Sequence, residues 1–398
     1  MSYLNPVRYA WRSLRRTPVF TAAAVLTLSI GIGAASAIFA VVDGILLRPL
    51  PYGHPEQLVG TWFDVAPLSL MHIQQTSATY FTFKQYARSI TGIAAYTEGA
   101  ANVADVSGTS EPRRLSAGYI TANLIPLLQV APILGRTFTD AEDLPKGPPV
   151  VMISEALWRA QFGADPHVVG RTLQVGGVTS QIVGVMPNAF RFPSGDTELW
   201  LPLQLDPHNP FPGGFNYNGI ARLRPGFTAA AAQRDFRAVL PRIVDVSPMM
   251  APGVTTQMLL DQARPQAVIT PMREDVVGGI ATTLWIVAGA AGLVLLVACA
   301  NVANLILVRA DGRQRELAVR AALGAGRARV LGHFLTESAV VAAIAGALGL
   351  LVAWLGTRAL VAAGPSELPR LAEVRVNGAV VAFTLLVTLL VAVACSAI

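Results

Sequence analysis

VVGGIATTLWIVAGAAGLVLLVACANVANLILV (Val276–Val308), followed at once by RADGRQRELAVRAALGAGRARVL (Arg309–Leu331), decides the fold. The first part carries no charge and exceeds the roughly 20 apolar residues a helix needs to cross a hydrocarbon core. The second part holds six arginines between Arg309 and Arg329. Basic residues crowded just after an apolar span mark the cytoplasmic side of a membrane. The pair therefore reads as a transmembrane helix that hands a compact charged loop to the cytoplasm.

Composition agrees. Of 398 residues, 53% are hydrophobic and only 14% charged, with mean hydropathy +0.50, whereas soluble domains carry about 25% charged residues. The net charge of +6 is concentrated beside apolar runs, at Arg8, Arg12, Arg15 and Arg16 and again at 309–329. Such flanks set topology and touch anionic lipid, so membrane lipid is an expected partner and nucleic acid is not. Cys299 and Cys395 both sit in apolar runs and form no disulfide framework.

Working outward, residues 1–18 read as a cytoplasmic interfacial amphipathic helix, with Leu4, Val7, Trp11 and Leu14 at helical spacing beside arginines. Residues 19–47 contain the first transmembrane helix. Ala35-Ser36-Ala37 resembles a signal cleavage site, but the charge-free run Val19–Val42 is longer than a signal core, favouring an uncleaved anchor. Residues 48–275 form a long α+β domain with room for two subdomains. There Ser154 is expected to cap a helix ending at Phe162 and Gly163, and Thr228 one ending at Pro241. Tyr80–Arg88 is a further helix candidate, and Gly176-Gly177 joins two strands as a hairpin. Residues 276–308 are transmembrane helix 2, 309–332 a cytoplasmic coupling loop, and 333–362 helix 3. A short periplasmic loop at 363–375 leads to helix 4 at 376–398. The expected fold is an α-helical membrane protein with four transmembrane helices plus a large extracytoplasmic α+β domain inserted between helices 1 and 2. The arginine excess puts the N-terminus and the 309–332 loop inside and the large domain outside.

Several chemistries are excluded. The glycines of Gly31-Ile-Gly33 lie in an apolar span, where small residues serve helix packing, so they form no dinucleotide fingerprint. The only lysines, Lys84 and Lys146, follow no P-loop pattern. His54, His72, His167, His208 and His333 are dispersed without metal-ligand spacing, and no nucleophile elbow occurs. Asp140, Glu142 and Asp143 read as a solvated acidic loop. Asn301 and Asn304 read as amides bonding across helices inside the membrane. No catalytic constellation, cofactor site or metal site is expected.

The loop has its own pattern. Glu316 and Arg320 stand at i,i+4 in the favourable order. Arg313, Glu316, Arg320 and Arg327 share one side of an ideal wheel, next to Leu317, Ala321 and Ala328. Gly324-Ala325-Gly326 can end the helix. A short helix with a defined stop, between two spans, suits a rigid lever; the bland alternative is an ordinary basic loop.

Cys299-Ala-Asn-Val-Ala-Asn-Leu-Ile-Leu-Val-Arg-Ala with Arg315-Glu-Leu-Ala-Val-Arg-Ala-Ala-Leu-Gly-Ala resembles the MacB/FtsX-type ABC transporter permeases, most of all the duplicated permeases first noted in acidobacteria. Leu134-Gly-Arg-Thr-Phe, Trp158–Gly170, Val183-Gly-Val-Met-Pro and Ala221-Arg-Leu-Arg-Pro-Gly agree. The resemblance implies an inner-membrane, multi-pass permease that docks a cytoplasmic ABC ATPase subunit. By motif match the docking positions are Arg315, Glu316, Val319, Arg320, Ala321, Leu323, Gly324 and Ala325, with Arg313 and Arg327 flanking them. It further implies a second permease half or a homodimer. ATP-driven movement would reach the periplasmic domain by mechanotransmission, for efflux, lipoprotein release or envelope signalling. No ATPase is attached, the fourth span stops at Cys395-Ser-Ala-Ile, and a duplicated member's second half is absent; a half permease or a fragment is expected. The alternative is a membrane-anchored periplasmic sensor or binding protein without ATPase coupling.

Overall fold

The computed structural model describes residues 15, 18–104, 112–311, 327–364 and 370–396. They fall into two compact units, 49–278 and 1–48 with 279–398. Helix α1 (Pro18–Val42) comes first and tightens into a π-helical turn at Asp43–Leu47. The strand-rich unit continues with β1 (Leu58–Val65), β2 (Leu70–Ile73), α2 (Ser77–Tyr86), β3 (Ile90–Ala104), β4 (Arg113–Ile120), α3 (Leu124–Leu128), β5 (Leu134–Gly135), β6 (Val150–Ser154) and α4 (Glu155–Phe162). Next come β7 (Thr172–Val175), β8 (Val178–Met186), β9 (Leu199–Pro202), β10 (Asn218–Leu223), α5 (Ala229–Val239), α6 (Ile243–Val246), β11 (Met249–Ala251), β12 (Val254–Thr255), α7 (Thr256–Ala263) and β13 (Gln266–Pro271). Three apolar helices end the chain: α8 (Met272–Asp311), α9 (Arg327–Ala363) and α10 (Gly378–Ser396).

Local signals explain many of these boundaries. Ser154 caps α4 by accepting from Leu157 N at 3.1 Å, and Gly163 stops it with φ +59°. Thr228 caps α5 through Ala231 N. Helix α2 starts earlier than the Tyr80–Arg88 expectation and ends at Tyr86, because Thr76 and Thr79 form a reciprocal capping box. Gly176 and Gly177, both at positive φ, make the tight β7–β8 turn.

Strand β3 serves two lobes. Its first half pairs with β10 in a sheet ordered β13-β1-β10-β3. Helices α2 and α5 cover that sheet with Phe83 and Phe236, whose ring centres are 4.3 Å apart over Phe63. Its second half enters a closed ring of six strands, β3-β4-β9-β6-β8-β7, with β7 returning to β3 at Val103↔Val175. Ala101, Leu115, Leu199, Val151, Ile182 and Leu173, one from each strand, meet in a single buried cluster. Alternation along the strands fills the ring with apolar side chains.

The acidic loop is solvated only in part: Asp140 is exposed, whereas Glu142 is buried and Asp143 half-buried. Glu142 is 6% exposed and takes a bidentate pair from Arg136 at 2.9 and 2.7 Å. Asp143 accepts from Ala122 N and Gln204 N. Backbone donors and one guanidinium outcompete water for these carboxylates, which therefore tie loop to sheet.

In the helical unit, α1 and α9 approach through glycines. A Cβ on Gly33 would lie 2.7 Å from the Val352 side chain and 3.0 Å from Gly349 O. Packing thus accounts for the Gly31-Ile-Gly33 pattern. Ser36 and Thr384 hydroxyls stand 2.8 Å apart between α1 and α10. At the π-turn end, Asn377 donates to Asp43 at 2.7 Å and Arg370 reaches the carbonyls of Ile45 and Arg48. Pro18–Leu47, Met272–Leu305 and Thr336–Ala363 are long and apolar enough to cross a membrane; Gly378–Ala394 is a shorter apolar helix. Asn301 and Asn304 stand exposed on α8 while Val302 and Ala303 turn inward. Among the described residues neither bonds across helices as expected, because the 3.6-residue period puts them on the exposed side of α8.

Candidate coupling site

Arg313, Arg315, Glu316, Val319, Arg320, Ala321, Leu323, Gly324 and Ala325 lie outside the described residues, and Arg327 opens α9 with its backbone alone described. The structure gives the helical shoulders of this loop, α8 ending at Asp311 and α9 starting at Arg327.

Helix α8 is the element of interest. It follows β13 with no intervening loop and runs unbroken for 40 residues, about 60 Å at 1.5 Å per residue. Its sequence therefore begins beside β13, an edge strand of the sheet, and ends beside the loop that sequence assigns to coupling. Within its membrane-length stretch it leaves Ile286, Leu293 and Leu296 at 65–67% exposure, as suits a helix bathed in lipid.

Its first turns are fixed to the strand-rich unit. Met272 and Val277 are buried there, and Val276 packs on the same core. Trp62 on β1 donates its indole N–H to Asp275 Oδ1 at 2.7 Å. His72 Nε2 lies 3.3 Å from the same oxygen, and its ring stacks on Trp62 with centres 4.2 Å apart. Placement in the first helical turn favours negative charge at Asp275. A Cβ at Gly60 would crowd the Asp275 carboxylate and the Trp62 indole, so a larger residue there would displace the joint.

A second anchor holds the segment following the π-turn. Arg222 on β10 is buried, donating from Nε to Leu127 O at 2.8 Å, from Nη2 to Gly53 O at 2.7 Å and from Nη1 to His54 O at 3.1 Å. Burial lowers its pKa, yet carbonyls supply the partners of the cation. This explains the Ala221-Arg-Leu-Arg-Pro-Gly block, whose Arg224 likewise donates to Ile90 O. The Trp158–Gly170 block is architectural too, with Trp158 Nε1 donating to Asp165 O at 2.8 Å.

Sequence reasoning missed the Trp62–His72–Asp275 joint, since 213 residues separate Trp62 from Asp275. No periodic pattern links them. Among the described residues no group of three His, Cys, Asp or Glu side chains is placed to hold a metal.

Three membrane-length apolar helices and a large separate α+β unit define a membrane protein with a large extracytoplasmic domain, once the family matches are added. The MacB-like periplasmic core domain matches residues 21–239, and the FtsX-like permease C-terminal domain matches 288–398. The chain belongs to the MacB/FtsX-type ABC transporter permease family. The macrolide export ATP-binding/permease protein MacB of an Azoarcus species is 31% identical over 243 residues, 58% of this chain and 33% of that protein. MacB of Marinobacter nauticus is 27% identical over 60% of this chain and 35% of its own length. The chain thus spans about a third of these MacB relatives. An uncharacterized ABC transporter permease of Bacillus subtilis, YknZ, is 25% identical over 91% of this chain and 88% of its own. The solved periplasmic region of MacB from Actinobacillus actinomycetemcomitans aligns with TM-score 0.39 and 13% identity, over 61% of this chain and 97% of that one. A score that low carries no weight; the assignment rests on the family matches.

Proposed function

We propose that this chain is the permease subunit of a MacB-like ABC system, converting ATP hydrolysis by a partner ATPase into movement of its extracytoplasmic domain. The observation that carries this reading is α8. It is one continuous helix whose first turn is pinned by Trp62 and Asp275 and whose far end borders the arginine-rich loop. A loop displaced by an ATPase would move a rod, and the rod would move the sheet it is fastened to. In this scheme Glu316, Arg320 and the Gly324 stop form the docking helix. The chain sits in the inner membrane with four spans and its N-terminus inside, and it pairs with a second permease half or another copy. Efflux, lipoprotein release and envelope signalling are the tasks such a machine performs, and kinship to the duplicated acidobacterial permeases belongs to the same proposal.

The test is affinity purification of the full chain from native membranes. The reading expects an ABC ATPase to co-purify, with its hydrolysis stimulated by the permease, and both effects to vanish with Glu316→Ala plus Gly324→Pro. Binding that survives both substitutions removes the docking assignment. Recovery of a kinase or regulator in place of an ATPase favours a membrane-anchored sensor.

A further inference from the structure

The strand-rich unit contains a cavity of about 80 Å³ that the coupling scheme does not use. Phe63 and Ile73 from β1 and β2, Leu240 and Ile243 beside α6, and Leu259 and Leu260 of α7 form its walls. Leu68 and Leu70 roof it from the β1–β2 hairpin, while remaining 62% and 46% exposed. No lining side chain is charged. The two polar ones, Thr79 and Thr256, already donate their hydroxyls to Thr76 O and Ser247 O.

Such a wall offers nothing to a hydrogen-bonding group, and a polar atom placed there would forfeit its water. Size narrows the choice further. A dry cavity of about 150 Å³ admits benzene, so half that volume suits a slim chain end rather than a ring. The exposed leucine roof gives that chain an apolar entrance from water. We propose that this cavity receives the end of an alkyl chain, with the head group of the amphiphile left at the Leu68–Leu70 rim. The extracytoplasmic domain is then a receptor for chain-bearing amphiphiles. This stands apart from the coupling reading, because a chain that binds no ATPase still binds here.

The test uses the full chain in lipid nanodiscs and a fatty acid carrying a diazirine near its methyl end. Mass spectrometry then locates the crosslinks. Labelling is expected in peptides covering 63–73, 240–243 and 256–265, above all other peptides of the 49–278 unit. Unlabelled dodecanoate should suppress it at least tenfold. A competitor of equal carbon number ending in phenyl should compete less well, since each methylene kept out of the cavity costs roughly fourfold in affinity, by conversion of about 0.8 kcal/mol per CH₂. Ala263→Phe, which fills the cavity, should abolish the labelling while crosslinks in the spans persist as an internal control. A diazirine-bearing phospholipid in the nanodisc separates bilayer lipid from a water-borne amphiphile as the source. Crosslinks spread evenly over the unit, or insensitive to dodecanoate, overturn the proposal without reference to any variant's folding.

Discussion

Replacing Trp62 by Phe removes the indole N–H from the joint and trades the two-ring indole for a smaller phenyl. The Phe ring can still stack on His72, whose ring is 4.2 Å from that of Trp62. What disappears is the indole N–H, which donates at 2.7 Å to an Asp275 side chain only 10% exposed. Hydrogen bonds to charged groups contribute about 1.5–3 kcal/mol, and a buried acceptor losing its donor sits toward the upper part of that range. His72 at 3.3 Å offsets part of the loss, which brings the expected cost to about 2 kcal/mol. For a unit of this size each kcal/mol moves the melting point by roughly 2–4 °C, so a fall of about 4–8 °C is expected. Thermal unfolding of the purified full chain, followed by fluorescence of the remaining tryptophans, measures it. Trp285→Phe, at a 57% exposed position on α8, is the matched control and should not shift. A Trp62→Phe melting point within about 1 °C of that control refutes the claim that this bond fastens α8 to the sheet.

Gly33→Val forces a branched side chain against Val352 and Gly349 O and should cost about 1–3 kcal/mol by overpacking. Gly292→Ala, where nothing lies within 4 Å, should be neutral or stabilising by up to about 1 kcal/mol through helix propensity; detergent-resistant folded yield separates the two. Arg222→Met strands the carbonyls of Gly53, His54 and Leu127 at a cost of about 3 kcal/mol, read as new proteolytic cleavage near residues 53–57. Arg222→Lys should not rescue it, since one ammonium cannot replace a fork of donors. Glu142, held down to about 2 first by the Arg136 hydrogen bonds, adds stability that is complete above its ordinary 4.5 and is lost as pH falls from there through about 2. Arg136→Gln should remove about 1–2 kcal/mol of that term, Arg136 being half-exposed and screened, and acid unfolding should then begin at higher pH.

The sequence exposed whatever was local and periodic. Long charge-free runs marked α1, α8 and α9, while Ser154, Thr228 and Gly176-Gly177 fixed caps and a turn, because each acts within a few residues. The closed ring escaped notice, since closure depends on β7 returning to β3 and pairing across distant segments leaves no pattern in either strand. Within the acidic loop the burial of Glu142 escaped the sequence for a related reason, whereas Asp140 is exposed as expected. Charge spacing says nothing about whether Arg136 and the N–H groups of Ala122 and Gln204 lie nearby. The joint is the clearest case: Trp62 looks like one more strand aromatic and Asp275 like a helix-start acid until the fold brings them to 2.7 Å. The arginine loop rests on motif and charge alone, as its docking residues lie outside the described structure.

The central claim is that nucleotide at the partner ATPase moves the extracytoplasmic domain through α8. The direct measurement is a spin-label distance in the ATPase-bound full chain, with native Cys299 and Cys395 replaced and labels placed at the exposed positions Val178 and Leu360. The account predicts that the distance distribution shifts between nucleotide-free and ATP-bound states, and that Glu316→Ala with Gly324→Pro abolishes the shift. Identical distributions with and without ATP, in a complex shown to hydrolyse it, contradict the account.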